Sequence, residues 1–381
     1  MNLPITQSAH RIHTKRHSYW AWMIVCNLLL LSLSQPLFAT ELEPGEPPLS
    51  VQSAQLSPTT ITATTIATGQ NGLTVNPQNR AESRQFFQTN YGNVDSAAHN
   101  WNGDQSTCAA GDTTPEFRAT IALRINYYRA MAGVPADIGF VDEYNAKAQQ
   151  AALVMSVNEK LSHEPTEDWT CYSAEGATAA GKSNLYLGVF GPAAIDGYMQ
   201  DPGDGNDAVG HRRWLLYPQT QLMGVGDIPS ANGYRAANAL WVFDDNFGGS
   251  RPTTREEFVA WPPSGYTPYQ VVYPRWSFAY PAADFTNATV TMTQNKAAVA
   301  IVLSPLKGGF GENTLVWTIS ALQTAQSWPQ PASDTAYEVT IGNVTIGDAT
   351  RTFTYTVTLF DPAVEETIPG AATLFLPLVR R

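Results

Sequence analysis

Charge is scarce in this chain: Asp, Glu, Lys and Arg make up 14% of its 381 residues, and the excess is acidic, with a formal charge of −11. The first forty residues hold Arg11, Lys15 and Arg16 and no acid, so their removal would take the charge to −14. Neutralising a phosphate backbone needs a basic face, so nucleic-acid binding is disfavoured. Cysteine is scarcer still, with three in all, no Cys-x-x-Cys and hence no sign of thiol chemistry. Six histidines occur, three of them before residue 18, which leaves His99, His163 and His211 for any chemistry in a processed chain.

Short catalytic motifs are missing too. There is no His-Glu-x-x-His. Gly181-Lys182-Ser183-Asn184-Leu185 opens like a nucleophile elbow but lacks its last glycine, which argues against a serine hydrolase. Asp201-Pro202-Gly203-Asp204-Gly205-Asn206-Asp207 is acidic and turn-rich but lacks the alternate ligand order of an EF-hand loop.

What is present divides the chain. A basic stretch from His10 to His17, an apolar run from Tyr19 to Leu33 and Leu37-Phe38-Ala39-Thr40 read as an export signal over residues 1–40. The run falls short of the ~18 residues of a spanning helix, so an uncleaved membrane anchor is the alternative. Export places the protein outside the cell or on its envelope. There the two remaining cysteines, Cys108 and Cys171, are expected to pair, the alternative being two buried thiols. Residues 41–80 are rich in Pro, Thr and Ser and are expected to be a disordered linker.

Helical signals run from Ala81 to about Pro202. Thr113-Thr114-Pro115-Glu116 has capping-box spacing, Phe117, Ile121, Ile125 and Tyr128 recur at helical intervals, and Gly133 and Pro135 stop the helix. A second helix from Asp142 to about Lys160 carries Ala148, Ala151 and Ala152 on one face, which implies close packing against a neighbour. Beyond His211, apolar runs at 222–226 and 239–243 read as strands. From Arg251 to about 365 only strand-like alternation remains, as at 352–359. The expected class is α+β, with a helical layer domain at 81–250, an antiparallel β-sandwich-like domain at 251–365, and an apolar tail at 366–381. Tyr266, Tyr269, Tyr273, Trp276 and Phe278 offer an aromatic platform for carbohydrate or surface adhesion, or else interdomain packing.

His163, in Leu161-Ser162-His163-Glu164-Pro165, and His211, in Val209-Gly210-His211-Arg212-Arg213, both stand where a helix meets a loop. Two imidazoles and one carboxylate would leave zinc an open coordination position, and Asp201, Asp204 and Asp207 lie just before His211. The 48-residue spacing matches no short metal motif, and structural histidines are the alternative.

Ile125-Asn126-Tyr127-Tyr128-Arg129-Ala130-Met131-Ala132-Gly133-Val134-Pro135, the Ala-rich helix ending in Leu161-Ser162-His163, and Val209-Gly210-His211-Arg212-Arg213 with Gly224-Val225-Gly226 together resemble the CAP superfamily, or SCP domain, in its bacterial form. The resemblance spans about residues 115–245. It implies an α-β-α sandwich with a cleft of two His and two acids, able in some members to hold zinc or another divalent cation. By position the histidines are His163 and His211. Tyr198-Met199-Gln200-Asp201 stands at the family's Trp-x-x-Glu segment, making Asp201 one acid. Ser183 of Gly181-Lys182-Ser183-Asn184 stands at the acid of its Gly-Glu-Asn segment.

A neutral hydroxyl there weakens any cation site, unless Glu164 or Glu175 folds inward. The resemblance implies a binding or envelope-associated role, with a lipid, an envelope component or a protein as partner. A hydrolase using a cation on His163, Asp201 and His211 is the alternative.

Overall fold

The computed structural model describes residues 47–48, 72–92, 97–322 and 327–365. The expected export signal, most of the linker stretch and the tail lie outside these residues.

Helix α1 (Arg80–Asn90) is capped by Asn79, whose side chain accepts the Glu82 amide at 3.1 Å. Helix α2 (Pro115–Ala132) starts as the sequence suggests, with a different cap. Thr114, not Thr113, accepts the Phe117 amide at 3.1 Å, so Glu116 is one position too early to close a capping box. Pro115 sets this register, because its fixed φ and missing N–H suit the first helical position. Gly133, at φ 78°, ends the helix.

Strand β1 (Gly139–Phe140), helix α3 (Asp142–Asn158), helix α4 (Ala174–Ala180), strand β2 (Ser183–Leu187), helices α5 (Pro192–Gln200) and α6 (Gly210–Leu215), and strands β3 (Leu222–Ile228) and β4 (Ala237–Trp241) follow. The sheet order is β1-β3-β4-β2, with β1 parallel to β3 and the other pairs antiparallel. One face carries α3 and α4, with Ala148, Ala151 and Ala152 packed among Leu185, Ala239 and Trp241. The other carries α2, α5 and α6, with Ile125, Ile195 and Trp214 around Tyr186, Val225 and Leu240.

The result is an α-β-α sandwich, and its glycine-rich strand has a steric cause. A Cβ at Gly226 would lie 2.2 Å from the Ala148 carbonyl, and one at Gly224 would lie 2.3 Å from Tyr144 Cβ. Glycine at both positions of β3 is what lets α3 lie this close.

The β-rich region holds two further sheets. One contains β5 (Val259–Trp261), β7 (Arg275–Ala279), β10 (Ile301–Leu303) and β11 (Thr314–Ile319) in the order β10-β11-β7-β5, all antiparallel. The other contains β6 (Gly265–Pro268), β8 (Thr289–Gln294), β9 (Ala297–Ala298), β12 (Thr335–Ile346) and β13 (Ala349–Phe360) in the order β6-β13-β12-β8-β9. Here β6 lies parallel to β13, a departure from the antiparallel expectation.

Trp276, Phe278, Trp317, Val339 and Tyr355 fill the space between these two sheets. Trp276 and Phe278 are therefore core residues and Tyr273 is buried, so these three serve packing, the alternative to an aromatic platform.

One apolar cluster continues across residue 250, joining Tyr128, Met131 and Trp214 to Trp261, Tyr273 and Phe310. The linker expectation also needs correction for the described part of 41–80. Pro47 and Pro48 are buried, Val75 is 9% exposed, and the Leu73 amide donates to Ala136 O at 2.9 Å. A few well-placed apolar residues and partnered amides suffice to dock a stretch of polar composition.

Candidate functional site

Helix α5 ends on Asp201 in the left-handed region, at φ 53°. Helix α6 is entered through Val209 at φ 46°. A β-branched residue there is strained, and such strain persists only where the surroundings enforce it. Between them the turn brings the Asp201 carboxylate onto His211. Oδ2 accepts the His211 backbone N–H at 2.9 Å, and Oδ1 accepts Nδ1–H at 2.8 Å. Both residues are fully buried. Asp201 thus fixes the ring and leaves Nε2 as its free corner, and Nε2 has no hydrogen-bond partner among the described residues.

The Tyr198 ring stacks on His211 at 5.4 Å between centroids. Its hydroxyl lies 3.0 Å from Asn184 O and 2.7 Å from Asn238 Oδ1, while Asn184 Nδ2 donates to His211 O at 3.1 Å. Three buried arginines hold the frame. Arg129 donates to the carbonyls of Pro135, Leu215, Tyr217 and Thr220 at 2.7–3.0 Å, tying α2 to the end of α6. Arg212 reaches Met199 O at 2.6 Å and Arg275 O at 2.8 Å. Arg213 donates to Lys307 O and Glu312 O at 2.8 and 3.0 Å. Burial draws all three guanidinium groups down to about 10, so they stay charged at neutral pH.

His163 follows α3 in a loop and is partly buried, its Nδ1 donating to Ala180 O at 2.6 Å. Ser183 is buried at the start of β2, and its Oγ has no partner among the described residues. Alternation along the strand sends Ser183 and Leu185 toward the α3 layer, whereas Asn184 and Tyr186 face the layer of α5 and α6. The chain therefore brings Asp201 and His211 into contact, holds His163 at the Ala180 end of β2, and directs Ser183 to the opposite face from Asn184.

The expected cation set of His163, Asp201 and His211 does not match this arrangement. Among the described residues no three His, Cys, Asp or Glu side chains are grouped to hold a metal ion. Asp201 turns both oxygens to His211, which makes it the residue that orients the imidazole. Glu164 and Glu175 are exposed and supply no replacement. Asp207 pairs with Lys307 at 2.6 Å. His99 is structural, with its Nδ1 accepting the Trp101 amide at 3.0 Å and its ring edge-on to Phe117 and Phe190.

Sequence reasoning missed Asp227, a carboxylate inside the sheet. Its Oδ1 accepts Gly191 N–H at 2.6 Å and Asn238 Nδ2–H at 2.8 Å, and Oδ2 has no hydrogen-bond partner among the described residues. Burial pushes its pKa up to about 6. The one signal was an acid within an apolar strand run. The bond between Cys108 and Cys171 forms as expected, and no described helix is long and apolar enough to cross a membrane.

The model of the CAP family, described as cysteine-rich secretory proteins, matches residues 123–244. No curated protein matches the chain. Among solved structures, PcoC, titled a methionine-rich copper resistance protein from Escherichia coli, aligns at 14% identity over 26% of this chain and 92% of its own, with a TM-score of 0.20. Its selenomethionine form gives 16% identity, 28% and 99% coverage and a TM-score of 0.19. Scores this low bear on neither fold nor function.

Proposed function

We propose that this protein, whose residues 123–244 form a CAP domain, works outside the cytoplasm as a secreted or envelope-associated binding protein. The observation that carries this reading is the Asp201–His211 pair: a buried imidazole held by a carboxylate through Nδ1, with Nε2 unpartnered among the described residues and the Tyr198 ring against it. Such a group offers one oriented hydrogen bond beside an aromatic ring, which suits a small apolar ligand with a single polar end. The amino-terminal basic and apolar stretches and the disulfide support an oxidising compartment. Metal-assisted hydrolysis is the weaker reading, because among the described residues no three His, Cys, Asp or Glu side chains are grouped to hold a metal ion.

Titration of the full chain with the fluorescent fatty acid 11-dansylaminoundecanoate tests the proposal. Saturable binding that His211→Phe weakens at least tenfold is the expected result. Zinc-dependent ester or peptide hydrolysis that is lost in His211→Ala would replace this reading with the hydrolase.

A further inference from the structure

Pro47 and Pro48 lie in a segment of unstructured composition, yet both are buried. Pro48 O accepts the indole N–H of Trp214 at 2.6 Å. Pro47 lies against Gly210 so closely that a Cβ there would come within 2.2 Å of its Cγ and 3.1 Å of Phe310. Trp214 is fully buried, with Phe243 and Phe247 edge-on to it at 4.6 and 5.8 Å. Arg213 holds the carbonyls of Lys307 and Glu312 and lays its guanidinium over the Phe310 ring. The Pro-Pro step therefore sits in a slot built by residues far from it in sequence, and it takes up the Trp214 N–H.

Proline-rich segments are recognised by this combination. Their rings fill slots between aromatic side chains, and they offer carbonyls but no N–H of their own. An indole N–H aimed at one of those carbonyls fixes the register. An extended Pro-Pro segment also loses little entropy on docking, since its backbone is already restricted. Gly210 leaves room for the ring, and Trp214 supplies the donor.

We propose that the slot between Gly210, Trp214 and Phe310 is a receptor for an extended Pro-Pro peptide, filled in this chain by its own Pro47–Pro48 and open to a Pro-Pro segment of another polypeptide when that step withdraws. The inference is independent of the His211 reading, because it uses the indole of Trp214 and leaves the imidazole aside.

The test uses the full chain and a fluorescein-labelled peptide of residues 42–53. In the Pro47→Gly/Pro48→Gly chain the slot loses its internal occupant, and the peptide should bind at least tenfold more tightly than to wild type. Adding Trp214→Phe should remove that gain, as should replacing both prolines of the peptide by alanine. A folded variant that does not bind the peptide, or binding indifferent to Trp214 or to the peptide's prolines, overturns the proposal.

Hydrogen exchange on the wild-type chain gives a second arm in case the variant fails to fold. Millimolar unlabelled peptide should raise exchange within residues 42–53. Unchanged exchange shows a fixed part of the fold and overturns the proposal equally.

Discussion

Arg275, on strand β7 of the β-rich region, donates through Nη1 to the backbone carbonyl of Asp201, the residue that orients His211. The same guanidinium reaches Gly203 O at 2.7 Å and Asn206 O at 3.4 Å. The turn that carries the site's acid is thus held from outside the residues that match the CAP family model. Removing the guanidinium leaves those carbonyls without their charged donor, a loss of about 2 kcal/mol. Urea denaturation of Arg275→Ala should show that loss in a single transition. A change within about 0.5 kcal/mol would mean that the turn holds itself.

The shared cluster around Tyr128, Trp261 and Tyr273 makes the two regions dependent on each other, and Tyr128 and Tyr273 also join hydroxyls at 2.8 Å. Calorimetry of the whole chain should give one cooperative transition. Residues 81–250 alone should melt without cooperativity, because separation strips the cover from that cluster. Two independent transitions, or a cooperative 81–250 fragment, would show that the helical region carries a sufficient core of its own.

Asp227 makes stability depend on pH. Burial raises its pKa to about 6, above its unfolded value, so the folded state binds this proton more tightly. Its contribution is complete below about pH 4 and is lost as pH rises through about 6, a swing of roughly 3 kcal/mol. Asp227→Asn should accordingly stabilise the protein at pH 7.5, with the gain shrinking toward pH 4.5. Denaturant titrations at the two pH values check this, and a pH-independent difference would remove the account of Asp227.

The Cys108–Cys171 bond closes a loop between residues 63 apart in sequence. In the loop-entropy treatment such a closure is worth about 4 kcal/mol. Cys108→Ser/Cys171→Ser should lose a comparable amount in urea denaturation. Thiol counting on the denatured, unreduced protein should find neither cysteine free.

Legibility followed locality. The start of α2 and its Gly133 stop were readable because Pro115 and Gly133 act through their own backbone preferences. The packing of α3 on β3 was half readable: the alanines announced a close neighbour, but which strand supplied the glycines is a long-range fact. Strand β2 was hidden, since its five residues sit in a stretch whose surroundings read as helix. At the site, Asp201 and His211 met as expected because ten residues and one turn separate them. Whether Ser183 joins them depended on which face of β2 its side chain takes, and one residue of register reverses that, while His163 stands in a loop after α3 that no local pattern places. Pro47–Pro48 and Arg275 were beyond reach, as nothing local marks a residue that docks on a distant element.

Nitrogen-15 NMR of the His211 imidazole in the full chain, with and without 11-dansylaminoundecanoate, tests the central claim most directly. The structure calls for hydrogen on Nδ1, donated to Asp201. On adding the probe, the Nε2 resonance should shift while Nδ1 keeps its hydrogen-bonded position. An Nε2 that ignores the probe but shifts with stoichiometric zinc, together with the onset of ester hydrolysis, would contradict the account and identify a metal-dependent catalyst.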